Sequence, residues 1–189
     1  MFANDPFARL PEAASFTVTS TTVADGAAWP PEQHSSGLPG GKDTSPQLSW
    51  SGAPNGTKSY AATVYDPDAP TGSGFWHWAV ADIPATVTDL PEGAGDDTGS
   101  GLPEGAGDDT GSGLPEGAYQ VPNDTRAARY IGAAPPAGHG PHRYFVVVHA
   151  LDIPTAGVPA DATPAVLGFT IAGHTLGRAV LIATAETPA

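Results

Sequence analysis

Arg143-Tyr144-Phe145-Val146-Val147-Val148-His149-Ala150-Leu151-Asp152 is the run that decides the fold. Between its charged ends it is dense in β-branched and aromatic side chains, which suit a pleated, buried surface. Working outward, residues 15–23, 47–51, 59–65 and 75–82 have the same character. Pro and Gly clusters separate these runs, and the two residue types total 45 of 189 (21 plus 24). Many turns and few long helices follow, so the expected class is mostly β: an antiparallel sheet or sandwich. The helical signal is confined to the C-terminal part. Thr163-Pro164 reads as an N-cap and first helical residue, residues 171–178 as a further short helical turn, and residues 179–185 as a closing strand.

At this length the chain suits one domain over residues 1–189, with enough material to bury a core. The formal net charge is −13, with seven Lys and Arg. Nucleic acid is thereby disfavoured as a partner, because phosphate backbones are held by clustered cations. An anionic membrane surface is disfavoured for the same reason. With no cysteine in the chain, disulfides, thiolate metal sites and cysteine nucleophiles are excluded. No basic-then-apolar leader and no run long enough for a membrane span is legible, so the expected location is cytoplasmic.

The middle of the chain repeats itself. Leu90-Pro91-Glu92-Gly93-Ala94-Gly95-Asp96-Asp97-Thr98-Gly99-Ser100-Gly101 recurs unchanged from Leu102, and a third copy starts at Leu114 and stops at Ala118. Twelve residues are too few for a solenoid unit. Residues 90–118 are expected to form a flexible, acidic, solvated loop. Asp96-Asp97 and Asp108-Asp109 offer oxygens to calcium, but their spacing lacks the EF-hand pattern.

Chemistry concentrates in two stretches. The first is Asp66-Pro67-Asp68-Ala69-Pro70, followed by Phe75-Trp76-His77-Trp78; the second is Gly138-His139-Gly140-Pro141-His142-Arg143-Tyr144. Asp66 ends one apolar strand and His142 begins another, so both belong at a sheet edge. Carboxylates and imidazoles beside apolar runs must satisfy one another or a ligand. Turn formation accounts for Asp68, and a lone histidine between two tryptophans is ordinarily a satisfied core group. Asp66, His77, His139 and His142 as a metal set lack a specific ligand framework, so no metal is assigned. No Gly-x-Ser-x-Gly elbow and no cofactor motif occurs.

Together with Ser45-Pro46-Gln47-Leu48-Ser49-Trp50, Gly132 and Pro135-Pro136, these stretches resemble the phosphatidylethanolamine-binding protein family, in its bacterial Raf-kinase-inhibitor-like branch. The resemblance runs from about Phe16 to the C-terminal strand. It implies a Greek-key β-sandwich with a small C-terminal helical element. It also implies a shallow pocket for phosphate, a carboxylate or a phospholipid headgroup. Carried over by motif, Asp66, His77, His142 and Tyr144 line that pocket, with Pro136 and the backbone at Ala134 as a wall. Asp68 and Arg143 brace the two boxes, and His139 has no assigned part. The family often has Gly where Ala134 stands, and the doubled loop is longer than expected for the branch.

The expected function is therefore a binding protein for a small anionic ligand, which the resemblance extends to modulation of a kinase or protease. An acid–base enzyme (cyclase, isomerase or hydrolase) using Asp66, His77 and His142 is the alternative. No cofactor is implied, and an exposed sheet face is compatible with a homodimer.

Overall fold

The computed structural model describes residues 6–96 and 113–189. Its strands are β1 (Ala14–Ser15), β2 (Thr17–Thr19), β3 (Leu48–Ser51), β4 (Ser59–Asp66), β5 (Phe75–Pro84), β6 (Asp89–Leu90), β7 (Tyr119–Gln120), β8 (His142–Leu151) and β9 (Thr175–Ala185). They form a six-stranded sheet in the order β1-β9-β8-β4-β5-β7 and a three-stranded sheet in the order β2-β3-β6. All pairings are antiparallel except β1 with β9. The chain runs β4 into β5 as a hairpin, then returns by a long connection that lays β8 against the other edge of β4, so that residues far apart in sequence become neighbours.

Alternation along β8 explains the layering. Tyr144, Val146 and Val148 turn inward and pack with Val64, Trp78, Val80 and Leu181 of the large sheet and Val18, Leu48, Trp50 and Leu90 of the small one. The opposite face is covered by one short helix, α1 (Pro164–Ile171), through Leu167 and Ile171 on Ala61, Ala79, Ala81 and Leu151. Thr163 caps α1 as expected, its hydroxyl accepting from the Val166 N–H at 3.3 Å.

Several local expectations change. Residues 15–23 do not make one strand: β1 joins the large sheet and β2 the small one. Residues 171–178 are not a helical turn throughout. A 3-10 turn covers Ala172–His174, and β9 starts at Thr175. Hydrogen bonding to β8 on one side and β1 on the other outweighs the weak helical signal. The solvated-loop reading of residues 90–118 fails at both ends. Leu90 is a fully buried partner of Leu48, and Ala94, Leu114 and Ala118 are buried in the core. The first copy also grips Ser45. Gly93 N donates to Ser45 O, Gly95 N to Ser45 Oγ, and the Ser45 N–H is accepted by the Asp96 carboxylate at 2.6 Å. Leucine burial and a glycine fitted against the Trp78 ring outweigh the acidic composition there. Asp97, Asp108 and Asp109, offered to calcium above, lie outside the described residues.

One buried group sets an acid limit on the fold. His149 lies on the outer face of β8, 9% exposed, with no hydrogen-bond partner for Nδ1. Burial, reinforced by Arg178 across the strand pair, lowers its pKa to about 3 from 6.5. The unfolded chain therefore binds this proton first. Stability is expected to fall below about pH 6.5 by about 1.4 kcal/mol per pH unit from this residue. Urea unfolding of wild type and His149→Leu between pH 7 and pH 4.5 checks it. The variant should show the shallower slope, and identical slopes would contradict the assignment.

Candidate functional site

β4 ends, β5 begins and β8 begins at the same end of the large sheet, which brings the two chemical stretches together. Tyr65 pairs with Phe145 of β8, and Asp66 with Phe75 of β5. Pro67 then fixes the chain direction, and Asp66 Oδ1 accepts the N–H groups of Asp68 (2.7 Å) and Ala69 (3.0 Å). Its other oxygen, Oδ2, faces His142 Nδ1 at 2.7 Å. Both side chains are almost fully buried, at 4% and 2% exposure.

Asp68 turns the other way. Its Oδ2 accepts from Arg143 Nε (2.7 Å) and the Arg143 backbone N–H (3.0 Å), and its Oδ1 from Nη2 (2.7 Å). This fork locks the turn after β4 to the start of β8. Hydrogen bonds from Arg143 hold the Asp68 carboxyl below the usual carboxylate range, against the opposing effect of partial burial.

His77 reaches the site through a β-bulge. Val64 pairs with Trp78 but Tyr65 with Trp76, leaving His77 as the extra residue. It and Trp78 thus both escape strict alternation, and the His77 ring stands edge-on to Tyr144 at 5.1 Å between centroids. The neighbouring segment secures the bulge. Trp76 O accepts from Asp124 N, and His77 O from Ile131 N. His77 Nδ1 donates to Ile131 O at 2.8 Å, which fixes the tautomer and leaves Nε2 as an acceptor. Burial lowers the His77 pKa, an effect that this carbonyl and Asp66 offset only in part.

Tyr144 completes the cluster. It is 1% exposed, and its hydroxyl is buried without a hydrogen-bond partner. Burial raises its pKa, with Asp66 and Asp68 adding to the effect. His139, to which the sequence assigned no part, is also here. Its Nδ1 lies 2.7 Å from His142 Nε2. Because Asp66 accepts from the His142 Nδ1–H, His142 Nε2 accepts and His139 Nδ1 donates, giving a chain from His139 through His142 to Asp66. The legible signal was the three-residue spacing across the Gly140-Pro141 bend. Ala134 and Pro136 lie exposed on the connection between the Ala133 bridge to His34 and the turn closed by His139 N on Pro136 O. Among the described residues no group of three or more His, Asp or Glu is arranged to hold a metal ion.

The family model described as phosphatidylethanolamine-binding protein matches residues 19–186. The chain belongs to the phosphatidylethanolamine-binding protein family. Two similar proteins of Escherichia coli (strain K12) define its branch. YbcL is 44% identical over 176 residues, 93% of this chain and 86% of that protein. YbhB is 41% identical over 143 residues, 76% of this chain and 82% of its own length. The crystal structure of YbcL superposes with a TM-score of 0.79 at 42% identity, covering 92% of this chain and 99% of the other. LppC of Mycobacterium tuberculosis, which carries the word lipoprotein in its name, is 31% identical over 93% of this chain and 75% of its own length. Among the described residues of this family member, no helix is long and apolar enough to cross a membrane.

Proposed function

We propose that this family member binds a small anion, such as the phosphate or carboxylate of a headgroup, at the sheet edge formed by Asp66, His77, His142 and Tyr144. The carrying observation is the Tyr144 hydroxyl, buried and unpartnered beside His77. A buried hydroxyl of this kind costs about 1–3 kcal/mol unless something accepts from it. The family name, phosphatidylethanolamine-binding, fits a ligand with such a headgroup. Ala134 and Pro136 form the exposed rim, and the Asp68–Arg143 fork holds the walls.

With its imidazoles neutral, the site presents lone pairs at His77 Nε2 and, beyond the His139–His142 bond, at His139 Nε2. Tyr144 is then its main donor. An anion without a proton of its own needs a protonated imidazole at the site. Sulfate, which does not titrate between pH 5 and 8, isolates this effect from the ligand's own protonation. Its affinity is expected to be higher at pH 6 than at pH 8, approaching a tenfold change per pH unit where one proton is taken up. Calorimetric titration at the two pH values checks this, and equal affinities would sink the charged-imidazole account.

Tyr144→Phe separates binding from folding. It removes an unpartnered hydroxyl from the free protein, so stability is expected to hold or rise by about 1 kcal/mol. It also removes the donor, so sulfate should bind about tenfold or more weakly. Loss of stability without loss of binding would show that the hydroxyl serves the core.

One observation favours a second reading. An imidazole oriented by a buried carboxylate is the arrangement of a general base. Under that reading His142→Ala abolishes turnover of a substrate while the fold survives. Kinase or protease modulation rests on the family resemblance alone.

A further inference from the structure

We propose that the outer face of the large sheet holds a second site, an apolar cavity that takes an aliphatic carboxylate with its head on Arg178 and His149. The cavity, about 390 Å³, lies under α1 and the N-terminal segment that contains Phe7. Its position is independent of the sheet-edge site, because residues of β8 alternate. Tyr144 faces the core between the sheets, while Phe145, Val147 and His149 face this cavity. The apolar lining includes Phe7, Leu10, Trp76, Phe145, Val147 and Phe169. Phe169 is 86% exposed and Leu10 41%. Large apolar side chains left at a concave surface are characteristic of ligand sites.

The polar end of the cavity specifies the head. His149 and Arg178 are cross-strand partners in β8 and β9. Buried His149 Nδ1 and Arg178 Nε both lack a hydrogen-bond partner. The guanidinium is held in place by Nη2 donating to Pro11 O at 2.9 Å and by the Phe7 ring, 5.9 Å away. Among the described residues no Asp or Glu lines the cavity, in a chain whose formal net charge is −13. A cation and a neutral imidazole at one end of an apolar chamber suit a singly charged, two-oxygen head on an apolar tail. A carboxylate seated there accepts from both nitrogens, with the imidazole as its Nδ1–H tautomer. Burial of the neutral imidazole is consistent with its low pKa.

Gly168 supplies the blocking variant. It lines the cavity, and a Cβ added there meets nothing within 4 Å. Gly168→Trp should fill the chamber without disturbing α1, since glycine is a poor helix former. Calorimetry with hexanoate, octanoate and octanol, below their aggregation concentrations, provides the test. The expected result is an affinity that rises by up to about fourfold per added methylene, with octanoate bound about tenfold or more tightly than octanol. Arg178→Gln should erase the preference for the carboxylate but keep the chain-length dependence. Gly168→Trp should abolish octanoate binding while leaving sulfate affinity at the sheet edge unchanged. Melting curves of both variants establish that they fold. Octanoate that still binds the folded Gly168→Trp protein, or affinity independent of chain length, overturns the proposal. Loss of sulfate binding alone would overturn only the sheet-edge reading.

Discussion

Replacing Asp66 by alanine is expected to cost about 3–5 kcal/mol of folding stability, the largest effect of any substitution at the candidate site. Two losses combine. His142 keeps its buried position, 2% exposed, but loses the carboxylate that accepts from Nδ1 at 2.7 Å. The Asp68 and Ala69 N–H groups lose their shared acceptor. Asp66→Asn separates the two terms. The amide oxygen can still accept from both backbone groups, but its NH2 now faces His142 Nδ1. The imidazole must then carry its proton on Nε2, pointing at the N–H of His139, so that ring has to change tautomer too. Asn should therefore be clearly less costly than Ala to the fold. It should equally remove the gain in sulfate affinity at low pH, because the site then lacks the carboxylate that balances positive charge beside the anion. Urea unfolding at pH 7 and titration at pH 6 and pH 8 check both parts. An Asp66→Ala protein within about 1 kcal/mol of wild type would contradict the buried-pair account.

Gly132→Ala is expected to destabilise by about 3 kcal/mol or more, lowering Tm by about 10 °C. The backbone at Gly132 is not in the left-handed region, so the reason is steric. An added Cβ would lie far inside van der Waals distance of the His34 carbonyl and the Ser35 nitrogen. Neither chain can retreat. Ser35 N donates to Ala133 O and Ala133 N to Gln33 O, while Gly132 N is held by Asp43 Oδ1 at 2.7 Å. The adjacent Ile131 carries the carbonyl that orients His77, so sulfate binding should weaken along with stability. Gly140→Ala is the contrasting control. Gly140 has φ +89° with nothing within 4 Å of its Cβ position, so only backbone strain of about 1–2 kcal/mol applies. Thermal unfolding of the two variants gives the order. A Gly132→Ala protein as stable as wild type would mean that the two segments do not cross this closely.

Much of the sheet was legible because its signals are local. Residues 143–152 carry enough β-branched and aromatic character to name β8, and residues 59–65 do the same for β4. Asp66 and His142 were readable as residues at strand ends because they abut those runs. Thr163-Pro164 announced α1 through cap chemistry. What failed was non-local. The strand from Thr175 depends on hydrogen bonds to β8 and β1 that its own residues do not announce. Leu90 and Leu114 belong to an acidic, glycine-rich repeat, yet the core has places for both. Composition averages over such a segment and misses single anchoring side chains.

The residue types at the sheet edge, the absence of thiol chemistry and the shortage of cations to grip a phosphate backbone are properties of the sequence by itself. So is the identity of the two polar stretches, since it rests on residues and their order alone. Tertiary structure decided how they meet. The long return to β8 sets His142 against Asp66, and a bulge of one residue turns His77 toward Tyr144. The bend at Gly140-Pro141 brings His139 onto His142. Each outcome depends on strand register, and a one-residue slip would send a side chain to the opposite face. Register is set by the packing of both sheets together, so no single stretch of the chain contains it.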